Sequence, residues 1–280
     1  MDMLLANKNA VIYGAGGAIG GAIARAFARE GAKVFLTGRR LASVDAVASD
    51  ITAIGGVAET TQVDALDELA VEKHLSAVVE KAGAIDISVN AISLPQRGVQ
   101  GIPLIKLSPE SFALPIMTYM KSHFLTTSAA ARHMVEKKSG VILTLTATSA
   151  RIAAFHVGGM APSWAAIEAL TRSLAAEDRQ QGIRAICLRS DAIPETATIA
   201  EVYSLHAEAL GLTREQVQDF SANLNPLKRL PTLAEVTNVA AFMASDQSSA
   251  MTATVANLSC GLIADESLTC SLDQKLRNLK

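Results

Sequence analysis

Tyr13-Gly-Ala-Gly-Gly-Ala-Ile-Gly20 is the stretch whose residue types and spacing imply chemistry most directly. It follows a short apolar run and opens a helical pattern. Gly14, Gly16, Gly17 and Gly20, with Ile19 among them, let the backbone approach a ligand closely. A helix N-terminus there offers free N–H groups and a positive dipole end, which suits a pyrophosphate. The segment therefore points to a bound dinucleotide, the plain alternative being a tight turn that only packs on a sheet. Proton-moving groups are fewer. His156 is the best acid/base candidate, since a free imidazole titrates at about 6.5; the alternative is a loop histidine in solvent. Tyr119 and His123 lie one helical turn apart. Tyr119 could donate a proton, but a phenol without a neighbouring cation keeps a high pKa, and a buried, hydrogen-bonded tyrosine is the alternative. Cys187, Cys260 and Cys270 form no C-x-x-C pair and no zinc spacing, so no metal is expected. Such cysteine usage fits a reducing compartment.

These groups need elements to hold them. The segments 10–13, 33–37, 58–64, 86–90, 141–146, 184–188 and 254–258 read as strands, most of them apolar. Helical spacing at 19–30, 41–54, 66–82 and 162–180 separates them. Ser108 with Pro109 marks the start of a long helix towards Lys138, with a kink expected at Pro115. Thr213 with Gln216, and Thr232 with Glu235, read as capping boxes. Strands alternating with helices imply a parallel sheet of about seven strands with helices on both faces. No linker divides the chain, so residues 1–280 are expected to form a single domain. Residues 190–230 are expected as a lid-like insertion and 265–280 as a C-terminal tail.

Composition narrows the function. The 280 residues carry 25 Lys+Arg against 27 Asp+Glu, a formal charge of −2. That gives no electrostatic case for nucleic acid or an anionic membrane. Half of the residues are apolar, which excludes global disorder. Residues 152–167 lack charge but are too short and broken by Gly158, Gly159 and Pro162 to span a bilayer. The N-terminus has no basic-then-apolar signal pattern, so a cytoplasmic protein is expected.

With the glycine-rich turn in its βαβ setting, the chain resembles the short-chain dehydrogenase/reductase family from Asn7 to about Ile263. The family opens with Thr-Gly-x-x-x-Gly-x-Gly; Gly14 and Gly20 match, while Tyr13 and Ala18 depart. Gly31-Ala-Lys-Val34, Asp64, Asp86-Ile-Ser-Val-Asn90, Gly140-Val-Ile-Leu143, the run 168–177 and Arg229-Leu-Pro-Thr-Leu-Ala-Glu235 also match. The resemblance implies a Rossmann-type doubly wound α/β fold. It also implies Asp64 beside the adenine and Asn90 beside the adenosine ribose. After the second strand stand Gly38, Arg39 and Arg40, with no carboxylate for a ribose 2′-OH. Arg39 suits a 2′-phosphate, so NADP is favoured over NAD; solvated loop arginines are the alternative.

The resemblance implies a catalytic Asn, Ser, Tyr and Lys, and here it fails. Aligned on Ala166–Leu174, the Lys position falls on Trp164, the Tyr position on Met160 and the Ser position on Ala147. Tyr119 falls at the Asn position. No Tyr or Lys occurs between Thr144 and Arg184. Ala147, Met160 and Trp164 are therefore expected as pocket walls. The Pro-Gly after the sixth strand reads Ser190-Asp191, and the following Thr is displaced to Thr196 or absent. Asp191 and Glu195 begin the expected lid. Three function classes stay open: an atypical oxidoreductase acting on a small carbonyl or alcohol compound, a non-redox enzyme (dehydratase, isomerase or cyclase), and a non-catalytic dinucleotide sensor or subunit partner. The first leads on the resemblance alone. The Ala-rich helix near 161–176 suits contact between subunits, so a homodimer or homotetramer with a small-molecule ligand is expected.

Overall fold

Strict alternation along the first strand assigns its two faces. In β1 (Asn9–Tyr13), Ala10 and Ile12 pack into one core, Val11 and Tyr13 into another. A strand buried on both faces belongs to a parallel sheet covered by helices on each side. The structure, a computed structural model, describes residues 3–177 and 181–263. The elements run β1, α1 (Ala18–Arg29), β2 (Lys33–Gly38), α2 (Leu41–Ala53), β3 (Val57–Gln62), α3 (Glu68–Ala82), β4 (Ile87–Asn90), α4 (Pro109–Lys137) and β5 (Gly140–Ala147). They continue with α5 (Met160–Glu177), β6 (Ile183–Ser190), α6 (Ala197–Leu210), α7 (Arg214–Leu224), α8 (Leu233–Ala244) and β7 (Thr254–Leu258).

The seven strands form one sheet in the order β3-β2-β1-β4-β5-β6-β7, every pair parallel. Ile23, Phe27, Val44, Val47 and Ala240 bring α1, α2 and α8 onto one face. Val71, Leu75, Ala130, Met134 and Ala175 bring α3, α4 and α5 onto the other. The chain leaves β1 first to one side and later, through β4, to the other. That reversal opens a crevice beyond the carboxyl ends of β1 and β4, where doubly wound sheets bind ligands. The ends are in register, Tyr13 opposite Asn90.

Some boundaries differ from the sequence reading. α3 starts at Glu68 rather than Leu66, because the Asp67 side chain accepts from the Ala70 N–H and caps the helix. α5 starts at Met160 rather than Pro162, since a proline in the first turn lacks only an N–H that has no helical partner there. Its expected last residues, 178–180, lie outside the described residues. The 190–230 stretch forms α6 and α7, joined at Gly211, whose φ of +68° closes α6. Both expected capping boxes are present. The expected tail 265–280 lies outside the described residues. Among the described residues, no helix is long and apolar enough to cross a membrane.

Candidate active site

The glycine-rich turn sits at the strand-order reversal and cannot carry side chains at two points. Gly14 has φ +75°, and a Cβ there would stand 2.6 Å from the Ala91 carbonyl oxygen. A Cβ on Gly20 would stand 2.4 Å from the Gly14 oxygen. Gly17 caps α1 without any side-chain hydrogen bond, so no side chain occupies the first-turn N–H groups. Gly17, Ala18 and Ile19 line a cavity of about 460 Å³. Gly16 lies against Ser43 instead.

Asn90 reaches the same cavity from the end of β4. Its amide donates to Thr126 Oγ1 at 3.0 Å, and its Oδ1 accepts from the Ile92 N–H at 3.2 Å. The side chain is thereby fixed. Asp64 lies past the end of β3, half-buried, its Oδ1 accepting from the Leu66 N–H at 3.0 Å. Arg39 and Arg40 are exposed between β2 and α2. The Gln62 amide donates to the Arg39 carbonyl and holds that turn.

The four positions of the expected tetrad converge on the cavity. Tyr119, Ala147, Met160 and Trp164 all line it. Tyr119 and Met160 are buried with Val99 and Ile167, and Trp164 packs against them. Three of the four positions thus condense into one apolar cluster joining α4 to α5. Burial lifts the Tyr119 phenol to about 12, against a smaller opposing effect of the Leu94 backbone. It stays protonated at neutral pH and keeps its O–H as a hydrogen-bond donor.

His123 does not act with the Tyr119 phenol. Its Nδ1 lies 2.9 Å from the Tyr119 carbonyl oxygen, an ordinary i to i−4 helix contact. Burial lowers its pKa to about 4, so the ring is neutral. His156, the expected acid/base, does not line the cavity, whereas its neighbours Phe155 and Val157 do. Its backbone has φ +57°, its carbonyl accepts from the Gly101 N–H at 2.8 Å, and its ring meets those of Phe155 and His206. It braces the β5–α5 loop against α6.

The residues after β6 carry contacts that sequence alone did not give. Asp191, on the cavity wall at the end of β6, is mostly buried. Burial raises its pKa against the opposing hydrogen bonds. The Asn225 amide donates to its Oδ2 at 3.0 Å, and the Ala192 N–H and Thr148 Oγ1 to its Oδ1 at 2.8 and 3.4 Å. The displaced Thr196 lines the cavity and caps α6 through the Ile199 N–H. Glu195 turns away and accepts from the Leu233 N–H at the start of α8. Behind the wall, Arg189 Nε and Nη2 donate to Glu168 at 2.7 and 2.6 Å, and Thr146 Oγ1 donates to the same carboxylate at 3.1 Å. This buried fork ties α5 to β5 and β6. Among the described residues, no group of three or more His, Cys, Asp or Glu is placed to hold a metal ion.

Known proteins resemble this chain in sequence and fold. Residues 14–262 match the family described as Enoyl-(Acyl carrier protein) reductase. The 3-oxoacyl-[acyl-carrier-protein] reductase FabG of Chlamydia pneumoniae is 30% identical over 253 residues, 90% of this chain and 96% of that one. A short-chain type dehydrogenase/reductase from Mycobacterium marinum superposes with a TM-score of 0.79 at 29% identity, covering 92% of this chain and 97% of its own. A gluconate 5-dehydrogenase from Burkholderia cenocepacia, solved with NADP and tartrate, has the same fold. Its TM-score is 0.81 at 24% identity, over 93% and 97% of the two chains.

Proposed function

Because this chain belongs to the short-chain dehydrogenase/reductase family, a family of oxidoreductases, we propose that it binds NADP(H) and acts on a carbonyl or alcohol compound without the usual tetrad. The observation that carries this is the glycine turn at the strand-order reversal, with its uncapped helix N-terminus opening into the cavity.

The adenosine and pyrophosphate half fits these residues. Gly14 and Gly20 pack the turn tightly against backbone, and no side chain caps the first N–H groups of α1. The N–H groups from Gly17 onward would hold the pyrophosphate. Arg39 would take the 2′-phosphate, Asp64 the adenine and Asn90 the ribose. The nicotinamide end meets small or apolar walls at Ile19, Ala91, Ala147 and Ile193. Among the described residues that line the cavity there is no Lys or Arg to hold the second ribose.

When bound, the nicotinamide supplies or accepts the hydride. The chain's own part is to position it and to bind the substrate oxygen. Tyr119, on the wall, is the hydroxyl donor for that oxygen, with Thr148, on the same wall, bound to Asp191. With the phenol at about 12 and no ammonium beside it, proton transfer from Tyr119 is slow. Turnover should therefore be modest, with the final proton coming from water.

Exposed Phe112, Met117 and Phe124 on α4, beside the Ala-rich outer face of α5, support a homodimer or homotetramer. The apolar packing of Tyr119, Met160 and Trp164 favours a second reading, a dinucleotide sensor that does not turn over. Calorimetry with NADPH and NADH, followed by carbonyl reduction assays, tests both. Tighter NADPH binding with measurable reduction supports the oxidoreductase. Binding without any turnover leaves the sensor, and no binding of either nucleotide overturns both.

A further inference from the structure

The outer half of the cavity differs in character from the end near the glycine turn. It lies under α6 and α7, whose facing stripes are apolar. On α6 the stripe is Val202, Tyr203, His206 and Leu210; on α7 it is Val217, Phe220 and Leu224. Both follow the spacing of one helix face. Yet α7 buries only Val217 among its 11 residues. Phe220 and Leu224 line the cavity while remaining 54% and 50% exposed. Phe155, Leu210 and Leu212 share that double state. Single exposed apolar residues are ordinary, but five that line one cavity mark a place that something covers.

The described wall also offers an anion no cation. Among the described cavity-lining residues there is no Lys or Arg, and the one carboxylate, Asp191, is engaged by Asn225, Thr148 and the Ala192 N–H. The polar members of the lid stripe carry no charge. Burial raises the Tyr203 phenol to about 12, and burial, with His156 adding to it, lowers the His206 imidazole. Gln100 Nε2 donates to Gln96 Oε1, and Gln96 Nε2 donates to the Leu94 carbonyl, so both side chains are tied to the wall. A phosphate or carboxylate entering this space would lose its hydration with no cation in return.

We infer that the lid half of the cavity binds a neutral, lipophilic carbonyl or alcohol compound whose hydrocarbon part fills the gap between α6 and α7 and completes their packing. This rests on the proposed oxidoreductase site for the position of the reacting oxygen, and it replaces the expected small compound with a longer, apolar one. The polar end of the ligand lies near Tyr119 and Thr148. The hydrocarbon runs out towards Phe220 and Leu224.

The test is calorimetric titration of the full chain, with and without saturating NADPH, by 2-alkanones of four to ten carbons and by gluconate. Affinity should rise up to roughly fourfold for each methylene buried, and gluconate should not bind. The variant Phe220→Asp, Leu224→Asp changes only exposed residues at the rim. It should flatten the chain-length series while keeping the helical circular dichroism and the NADPH affinity. A flat series in the unaltered protein, or gluconate binding more tightly than 2-decanone, would overturn the assignment. A steep series without any NADPH binding would sink the oxidoreductase reading and leave the lipophilic site standing. NADPH binding with a flat series would do the reverse.

Discussion

Replacing Gly20 by alanine tests whether the glycine turn is built for a ligand. The added methyl would stand 2.4 Å from the Gly14 oxygen, 2.9 Å from the Gly14 carbonyl carbon and 3.2 Å from the Ala15 Cα. All three are backbone atoms. Gly14 has little room to retreat, because the Ala91 backbone fills its open side so closely that a Cβ there would lie 2.6 Å from the Ala91 oxygen. The turn must therefore open and swing the first N–H groups of α1 off target. Losing two charge-assisted amide bonds, at about 1.5 kcal/mol each, weakens NADPH binding on the order of 100-fold. Overpacking itself costs about 1–3 kcal/mol of stability. Gly55→Ala is the matched control: it has φ +81° but nothing within 4 Å of the new methyl. That change should cost about 1 kcal/mol of stability and leave the NADPH Kd alone. Calorimetric titration beside urea unfolding measures both effects. A folded Gly20→Ala protein with unchanged NADPH affinity would refute the assignment of the turn.

Glu168→Ala strands a buried guanidinium and should cost about 3–5 kcal/mol in urea unfolding, whereas Glu168→Met with Arg189→Met should be nearly neutral. A loss below about 1 kcal/mol in the single variant would contradict the buried fork. Arg39→Ala should weaken NADPH about tenfold and leave NADH unchanged, if a guanidinium–phosphate contact exists; equal effects on both nucleotides would count against it. Stability should also fall in acid. Burial holds His74 and His123 at about 4 in the folded chain, below the ordinary histidine value of 6.5. The unfolded chain therefore binds more protons in between, so stability drops as pH falls from 6.5 towards 4, by about 3 kcal/mol per histidine. Unfolding midpoints at pH 7, 5.5 and 4.5 should show this slope, and a His74→Gln, His123→Gln variant should lose most of it.

The sheet was legible because most of its strands are short apolar runs bounded by glycines and caps, a local pattern; the polar edge strand β3 is the exception. The long helix from Pro109 was legible for the same reason, through Ser108. The site was only partly legible. Gly14, Gly20 and Asn90 announce themselves by type and position, and Ala147, Met160 and Trp164 by what they replace. Asp191 with Asn225 was not readable, because the two are 34 residues apart and meet only where α7 returns to the sheet. The Glu168–Arg189 fork was hidden likewise across 21 residues. His156 misled because a loop position alone does not say which way a side chain turns. The lid stripes could have been found from spacing at 202–210 and 217–224, but their apolar residues also read as ordinary core.

Trp164 is the only tryptophan and lines the cavity. The most direct measurement is therefore titration with NADPH and then NADH, following tryptophan emission and energy transfer to the reduced nicotinamide. Saturable transfer, reached at lower concentration with NADPH, is the predicted result; it would put the ring beside Trp164 and the 2′-phosphate at Arg39. No change in emission with either nucleotide, together with no heat of binding, would contradict the account.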